Sequence, residues 1–192
     1  MALHYHGMRL EMHPEVYEPA EDSFLLAEAL DVRNGDVVLD VGAGTGILAL
    51  IAAKTASSVI GVDLNPDAVK LARENALLNN VKNVEFRESD LFSAIPGKFD
   101  LIVFNPPYLP VSEDGLLARS WSGGIQGLEV VERFLGEAGE HLKQGGRLFL
   151  MASSLNDLHA VEELFARYGF SPTIIAEKKI PFEVLYVLSA TR

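Results

Sequence analysis

Apolar residues along the chain gather into short continuous runs, and between those runs they recur at helical spacing. Val37-Val38-Leu39-Asp40-Val41, Ser58-Val59-Ile60-Gly61-Val62-Asp63, Leu101-Ile102-Val103-Phe104 and Arg147-Leu148-Phe149-Leu150-Met151 have strand length. Runs of this kind predict strands covered on both faces of a sheet. Val84-Glu85-Phe86 adds a short strand. Leu128, Val131, Leu135, Ala138 and Leu142 step by three and four residues, and Leu158, Val161 and Phe165 do the same. That spacing predicts helices with one buried face. Asn65-Pro66-Asp67 is a helix start, with a cap, a first-turn proline and an early acid, and Val69, Ala72 and Ala76 fall on one face behind it. Glu21 and Asp22 suit the positive end of a helix that buries Phe24, Leu25, Ala27 and Leu30. Ile47 to Lys54 predicts another helix, and Gly145-Gly146 and Gly169 are expected to close the two later ones. Ile174-Ile175 and Val184–Leu188 are separated by too little chain for a crossover helix, so they are expected to pair antiparallel. Strands alternating with helices and ending in a hairpin predict one α/β domain over residues 1–192, with a mostly parallel sheet and helices on both faces.

Asn105-Pro106-Pro107-Tyr108 follows the Leu101–Phe104 run directly. Two prolines cannot continue a sheet ladder, so Asn105 is expected at the carboxyl end of a central strand, where open α/β sheets place ligands. A stiff turn there offers an amide side chain, free carbonyls and an aromatic ring. Such a set can hold a planar NH2 group, with two acceptors for its hydrogens and a ring against its face. A Pro-Pro turn with Asn105 as a local cap is the plainer alternative.

Gly42-Ala43-Gly44-Thr45-Gly46 joins a strand to a helix, a place where backbone amides favour a nucleotide-like ligand. A dinucleotide fingerprint would put its third glycine at 47; that residue is Ile47, and the glycine comes one earlier. Asp40 is expected to point at the ligand's mouth, where an acid suits an α-amino group better than a pyrophosphate. Asp63 ends the next strand and suits two ribose hydroxyls. Asp90, beside the Leu91 backbone, can accept from an adenine amino group. Acids for amino group, ribose and base, with no demand for phosphate, describe S-adenosylmethionine better than NAD. Helix capping and loop solvation are the plainer use of each acid taken singly.

The 192 residues carry 27 acids against 16 Lys and Arg, a net charge of −11. A field of that sign repels nucleic acid unless a local basic patch intervenes, and the one dense basic spot, Lys178-Lys179, reads as a solvated surface pair. Cysteine is absent, so disulfides and thiolate metal sites are excluded. His4, His6 and His13 lack carboxylates at metal-ligand spacing and are expected on the surface; no metal is expected. Neither a signal peptide nor a membrane-length apolar run is present, and a soluble cytoplasmic protein is the expectation. Leu109 to Gly127 is the longest stretch without periodicity. A loop there, beside the sheet's carboxyl edge and carrying Trp121-Ser122-Gly123-Gly124, is expected to be functional or mobile.

Taken together, these residues resemble the class I S-adenosylmethionine-dependent methyltransferases over about residues 16–190. The resemblance implies a Rossmann-like seven-stranded sheet in the order 3-2-1-4-5-7-6 with the last strand antiparallel. Tyr17 to Phe24, Trp121 to Gly124 followed by Gly127 to Val130, and Lys179 to Glu183 resemble the HemK-related release factor glutamine methyltransferases of archaea and eukaryotes. That likeness implies N5-methylation of the glutamine in a Gly-Gly-Gln loop. It implies a cofactor pocket of Ser23, Asp40, Gly42, Gly44, Asp63, Asp90, Leu91 and Asn105. Asn105, Pro106 and Tyr108 would serve the transfer, and Asn105, Pro107 and Trp121 would meet the substrate. It further implies a small zinc-binding activator subunit on the Val84–Phe86 edge, and no added N-terminal recognition domain. Lys82, Glu85 and Arg87 are the counter-argument, as charges that guard such an edge. Two other functions fit the same residues: an adenine N6 methyltransferase of RNA or DNA, and a non-catalytic module that binds the cofactor.

Overall fold

The computed structural model describes residues 2–107 and 128–192. Its chain order is β1 (Ala2–Tyr5), β2 (Met8–Glu11), α1 (Glu21–Ala29), β3 (Val37–Val41), α2 (Ile47–Ala52), β4 (Ser58–Asp63), α3 (Pro66–Leu78), β5 (Val84–Glu88), β6 (Phe99–Phe104), α4 (Glu129–His141), β7 (Leu142–Ser153), α5 (Leu158–Arg167), β8 (Thr173–Ile180) and β9 (Glu183–Thr191). The main sheet runs β5-β4-β3-β6-β7-β9-β8. β5 through β7 are parallel, and β9 runs antiparallel to both its neighbours. Counted from β3, that is the expected order 3-2-1-4-5-7-6, a Rossmann-like methyltransferase sheet.

Alternation along the central strands builds two cores. Val38, Leu101 and Val103 face the layer of α1, α2 and α3. Leu39, Val41, Ile102 and Phe104 face the layer of α4 and α5. Both faces are therefore covered, which is why these strands read as continuous apolar runs. α3 begins as expected, with Asn65 Oδ1 accepting from the Asp67 amide at 2.9 Å and Pro66 at the first turn.

Four elements depart from the sequence reading. Residues 2–11 form a hairpin that was not anticipated, closed by His6 (φ 47) and Gly7 (φ 78), both left-handed as a two-residue turn requires. Its strand β2 docks on α3 through two side-chain amides one helical turn apart. Asn79 and Asn75 accept from the Arg9 and Glu11 amides and donate to the carbonyls of the same residues, standing in for a neighbouring strand. α1 buries Leu25, Leu26 and Ala27, with Phe24 and Leu30 only half-buried. α2 stops at Ala52, short of Lys54. Gly145-Gly146 do not close α4, which ends at His141; they pair instead with Arg192, whose carbonyl takes the Gly145 amide and whose amide reaches the Gly146 carbonyl.

Candidate active site

Parallel strands leave their carboxyl ends on one side of the sheet, and the chain leaves each of β3, β4, β5 and β6 there. A cavity of about 680 Å³ opens at those ends. The segment before α1, the glycine turn after β3, the ends of β4 and β6, and the start of α4 all border it.

Gly46 explains the early third glycine. It caps α2 in a left-handed conformation (φ 84), and a Cβ there would meet the Phe86 ring at 3.0 Å and Ala72 at 3.1 Å. The turn is thus pressed onto β5 and α3 at a point where only hydrogen fits. Thr45 lies on the cavity wall with its hydroxyl buried and without a partner among the described residues.

Asp40 is not where the sequence placed it. It shares a sheet face with Val38, is fully buried and does not line the cavity. Its Oδ2 accepts from the Ala49 amide at 3.0 Å, in the first turn of α2. Such amides have no partner within their own helix, so the acid satisfies one of them from a neighbouring strand. Burial pushes the Asp40 carboxyl up to about 8, opposed by the Ala49 bond and reinforced by Asp63. Asp40 Oδ1 is buried and has no partner among the described residues.

Asp63 borders the cavity at the end of β4. Its Oδ2 accepts from Gly44 N at 2.9 Å and its Oδ1 from Asn65 N at 2.8 Å. Burial raises this carboxyl, and the Asn65, Gly44 and Leu64 amides pull it back. The carboxylate still has acceptor capacity beyond these amides, which suits a ribose hydroxyl. Asp90 and Leu91 also line the cavity. Asp90 Oδ2 is held by Arg133 from α4 at 2.8 Å. Leu91 sits left-handed (φ 48), and Ser89 Oγ donates to its carbonyl at 2.9 Å. A non-glycine residue held in that region costs free energy and marks functional turns.

Asn105 follows β6 and is clamped at one end of its amide. Nδ2 donates to Asp22 Oδ2 at 3.0 Å and to Ser23 Oγ at 3.4 Å. Oδ1 is buried and has no partner among the described residues. Asp22 in turn accepts from the Tyr17 hydroxyl at 3.2 Å and the Ser23 amide at 2.6 Å. Ser23, Gly42, Gly44, Asp63, Asp90, Leu91, Asn105 and Pro107 therefore border one cavity, whereas Asp40 and the buried Pro106 do not line it. Tyr108, Trp121 and the rest of the 108–127 stretch lie outside the described residues. Asp22 and Tyr17 were missed as site residues. A signal existed: Asp22 sits three and four residues before Leu25 and Leu26, an acid on a buried stripe.

The residues present fit an adenosyl ligand with a charged tail. They supply a glycine turn, a carboxylate acceptor for a ribose hydroxyl, and two buried polar atoms that a ligand would satisfy. Among the described residues no group of His, Asp and Glu is arranged to hold a metal, and no helix is long and apolar enough to cross a membrane.

Comparison with known proteins gives the family. A "putative protein N5-glutamine methyltransferase" of Methanocaldococcus jannaschii is 48% identical, with all of both chains covered. The Mtq2-Trm112 complex of E. cuniculi, described as responsible for methylating the eRF1 translation termination factor, contains a chain of the same fold. That likeness has a TM-score of 0.76 and 28% identity, covering 93% of this chain and 99% of that one. The T. thermophilus 16S rRNA N2 G1207 methyltransferase, solved with AdoMet and guanosine, matches with a TM-score of 0.75 and 27% identity over 100% of this chain and 50% of that one. The family described as methyltransferase small domain matches residues 13–185. The chain belongs to that family, and it is an S-adenosylmethionine-dependent methyltransferase.

Proposed function

We propose that this enzyme N5-methylates the side-chain amide of the glutamine in the Gly-Gly-Gln loop of a class I peptide chain release factor. The observation that carries the reading is Asn105. Its NH2 end is tied to Asp22 and Ser23, and its oxygen is buried and unpartnered beside the cavity. What remains is an acceptor for one N–H of a planar NH2 group. The relatives named above point the same way, and the net charge of −11 favours a protein over a polyanion.

When bound, S-adenosylmethionine supplies a methyl group activated on a sulfonium. Asp63 would hold its ribose hydroxyls, Asp90 and the Leu91 backbone its base, and Gly42 and Gly44 would let the chain approach it closely. Asp40 stands behind the cavity wall, where it holds the start of α2. An amide nitrogen is a poor nucleophile because its lone pair is shared with the carbonyl. Accepting one N–H on Asn105 Oδ1 and the other on the Pro106 carbonyl orients that nitrogen and raises its electron density. Alignment then supplies much of the rate. Transfer would exchange the S–CH3 bond of the sulfonium for an N–CH3 bond, leaving a neutral thioether, and the amide nitrogen would lose one proton. Pro107, which borders the cavity, would contact the substrate, and Tyr108 and Trp121 are assigned to the same substrate side.

The enzyme would act as one domain, in the cytoplasm where its substrate works. A small zinc-binding activator subunit would add a strand at β5. Val84 is half-buried at that edge, but Phe86 is turned inward and its carbonyl is taken by Arg73 at 2.6 Å. The edge that remains is narrower than its sequence implies. Co-purification of the two proteins on gel filtration supports that partner, and separate elution removes it.

The deciding test incubates the protein with methyl-labelled S-adenosylmethionine and the release factor, then locates the label by mass spectrometry. One added methyl on the loop glutamine supports the reading. Label entering adenine of RNA or DNA at far higher rates replaces it, and no transfer at all would leave a binding module. Asn105→Ala is expected to lower turnover by roughly 10²–10³-fold, as for loss of one preorganised polar contact, with cofactor affinity changed much less.

A further inference from the structure

We propose that Asp22 is a positioning residue that decides which end of the Asn105 amide faces the substrate, and thereby makes the site accept only hydrogen-bond donors. This deepens the amide-methylation reading and rests on it.

The two ends of an asparagine amide have nearly the same shape and opposite hydrogen-bonding sense. Rotation about the last side-chain bond exchanges them without a clash. Packing cannot choose between them, so a partner of fixed polarity must. Asp22 is that partner. It is 3% exposed, on the buried side of α1. A carboxylate only accepts, so it takes the NH2 end and refuses the carbonyl end.

Asp22 is itself held. The Ser23 amide reaches Oδ1 at 2.6 Å, the Ser23 hydroxyl reaches it at 3.2 Å, and the Tyr17 hydroxyl bridges both oxygens at 3.2 Å. Every neighbour in this set donates. The set converges on one outcome, in which Asn105 Nδ2 points at Asp22 Oδ2 and Oδ1 is left buried and unpartnered. A substrate group that offers only lone pairs finds no donor there. One that offers N–H completes the network. The polarity read by the substrate is thus set one residue away from it.

The arrangement predicts a polarity swap. In Asp22→Asn the Ser23 amide retains the single oxygen of residue 22, so its NH2 turns toward Asn105. Asn105 then flips to accept from it and shows its own NH2 to the substrate. Turnover should fall roughly 10²–10³-fold, as for Asn105→Ala, while the dissociation constant for S-adenosylmethionine measured by calorimetry moves far less. Asn105→Asp alone sets two carboxylates side by side and should also be poor. Combining Asp22→Asn with Asn105→Asp restores a donor facing an acceptor and returns an acceptor to the substrate. The double variant should recover at least about tenfold over either single one, the signature of residues acting as a unit. Turnover by Asp22→Asn near that of the wild type, or a double variant whose losses simply multiply, overturns the role of Asp22. Should the variants fail to fold, the wild type still decides. It must bind the glutamine-bearing release factor more tightly than the same factor with Gln→Glu at the target, and equal or reversed binding overturns the inference. Methylation of the release factor by the wild type is read separately. If it is absent, the functional reading fails and the role given to Asp22 fails with it.

Discussion

Asp40 and Asp63 stand near the carboxyl ends of neighbouring strands and meet opposite fates. Asp63 keeps acceptor capacity at the cavity, so Asp63→Ala should weaken S-adenosylmethionine binding by about 1–3 kcal/mol in calorimetry, the scale of lost charge-assisted hydrogen bonds. Asp40 works inside the fold, where burial raises its carboxyl from 3.8 to about 8. Between those values the folded protein holds a proton that the unfolded chain has released. Stability must therefore fall as pH rises from about 4 to about 8 and become level, for this group, beyond it. Asp40→Asn removes that slope. Denaturation at several pH values should show the wild type losing on the order of a few kcal/mol across the window relative to the variant, and parallel curves would refute it. The sequence announced both acids but not their directions. Strand alternation held the clue for Asp40, which shares its face with Val38 and so turns toward α2. Asn105 was legible as an amide at a strand end. Its polarity was not, because Asp22 lies 83 positions away along the chain.

At the scale of elements, α2, α3, β4 and β5 meet at one aromatic ring. Phe86 is 1% exposed, and it fits because Gly46 and Gly61 have no side chains. A Cβ on Gly61 would stand 2.5 Å from that ring. Gly61→Ala should cost about 1–3 kcal/mol as overpacking in a dense core, read from the shift of a urea midpoint. It should also weaken cofactor binding, because the displaced ring presses on Gly46 at the turn that borders the cavity. Lower stability with unchanged affinity would break that link. The strands and the longer helices were legible because period and caps agreed. The N-terminal hairpin was not, since His6-Gly7 is a weaker turn signal than Asn-Gly and the strands beside it are short. The end of α4 was misread for a related reason. A glycine pair looks like a helix stop, yet here it meets Arg192 at the far end of the chain.

At the scale of the molecule, the parallel run of the central strands follows from the crossover helices between them, and the antiparallel pairing of β8 and β9 from the lack of room for one. That much was legible from spacing, whereas the order of the strands came from the family resemblance alone. Substrate class is a property of the whole surface as well as of the site, because an acceptor for NH2 serves a glutamine amide or an adenine edge equally. The net charge of −11 weighs against the polyanion. A polyanion approaching this protein works against a repulsive field, and screening by salt should relieve that repulsion. Single-stranded RNA or DNA added to a release factor methylation assay should therefore compete weakly at low ionic strength and no more than weakly as salt is raised. An enzyme built for nucleic acid would show the opposite trend, with strong competition at low salt that fades steeply, since each phosphate neutralised by a basic side chain releases counterions. Initial rates at a series of salt and oligonucleotide concentrations distinguish the cases. Strong inhibition at low salt that disappears at high salt would expose a basic surface patch that outweighs the net charge, and would move the substrate from protein to nucleic acid.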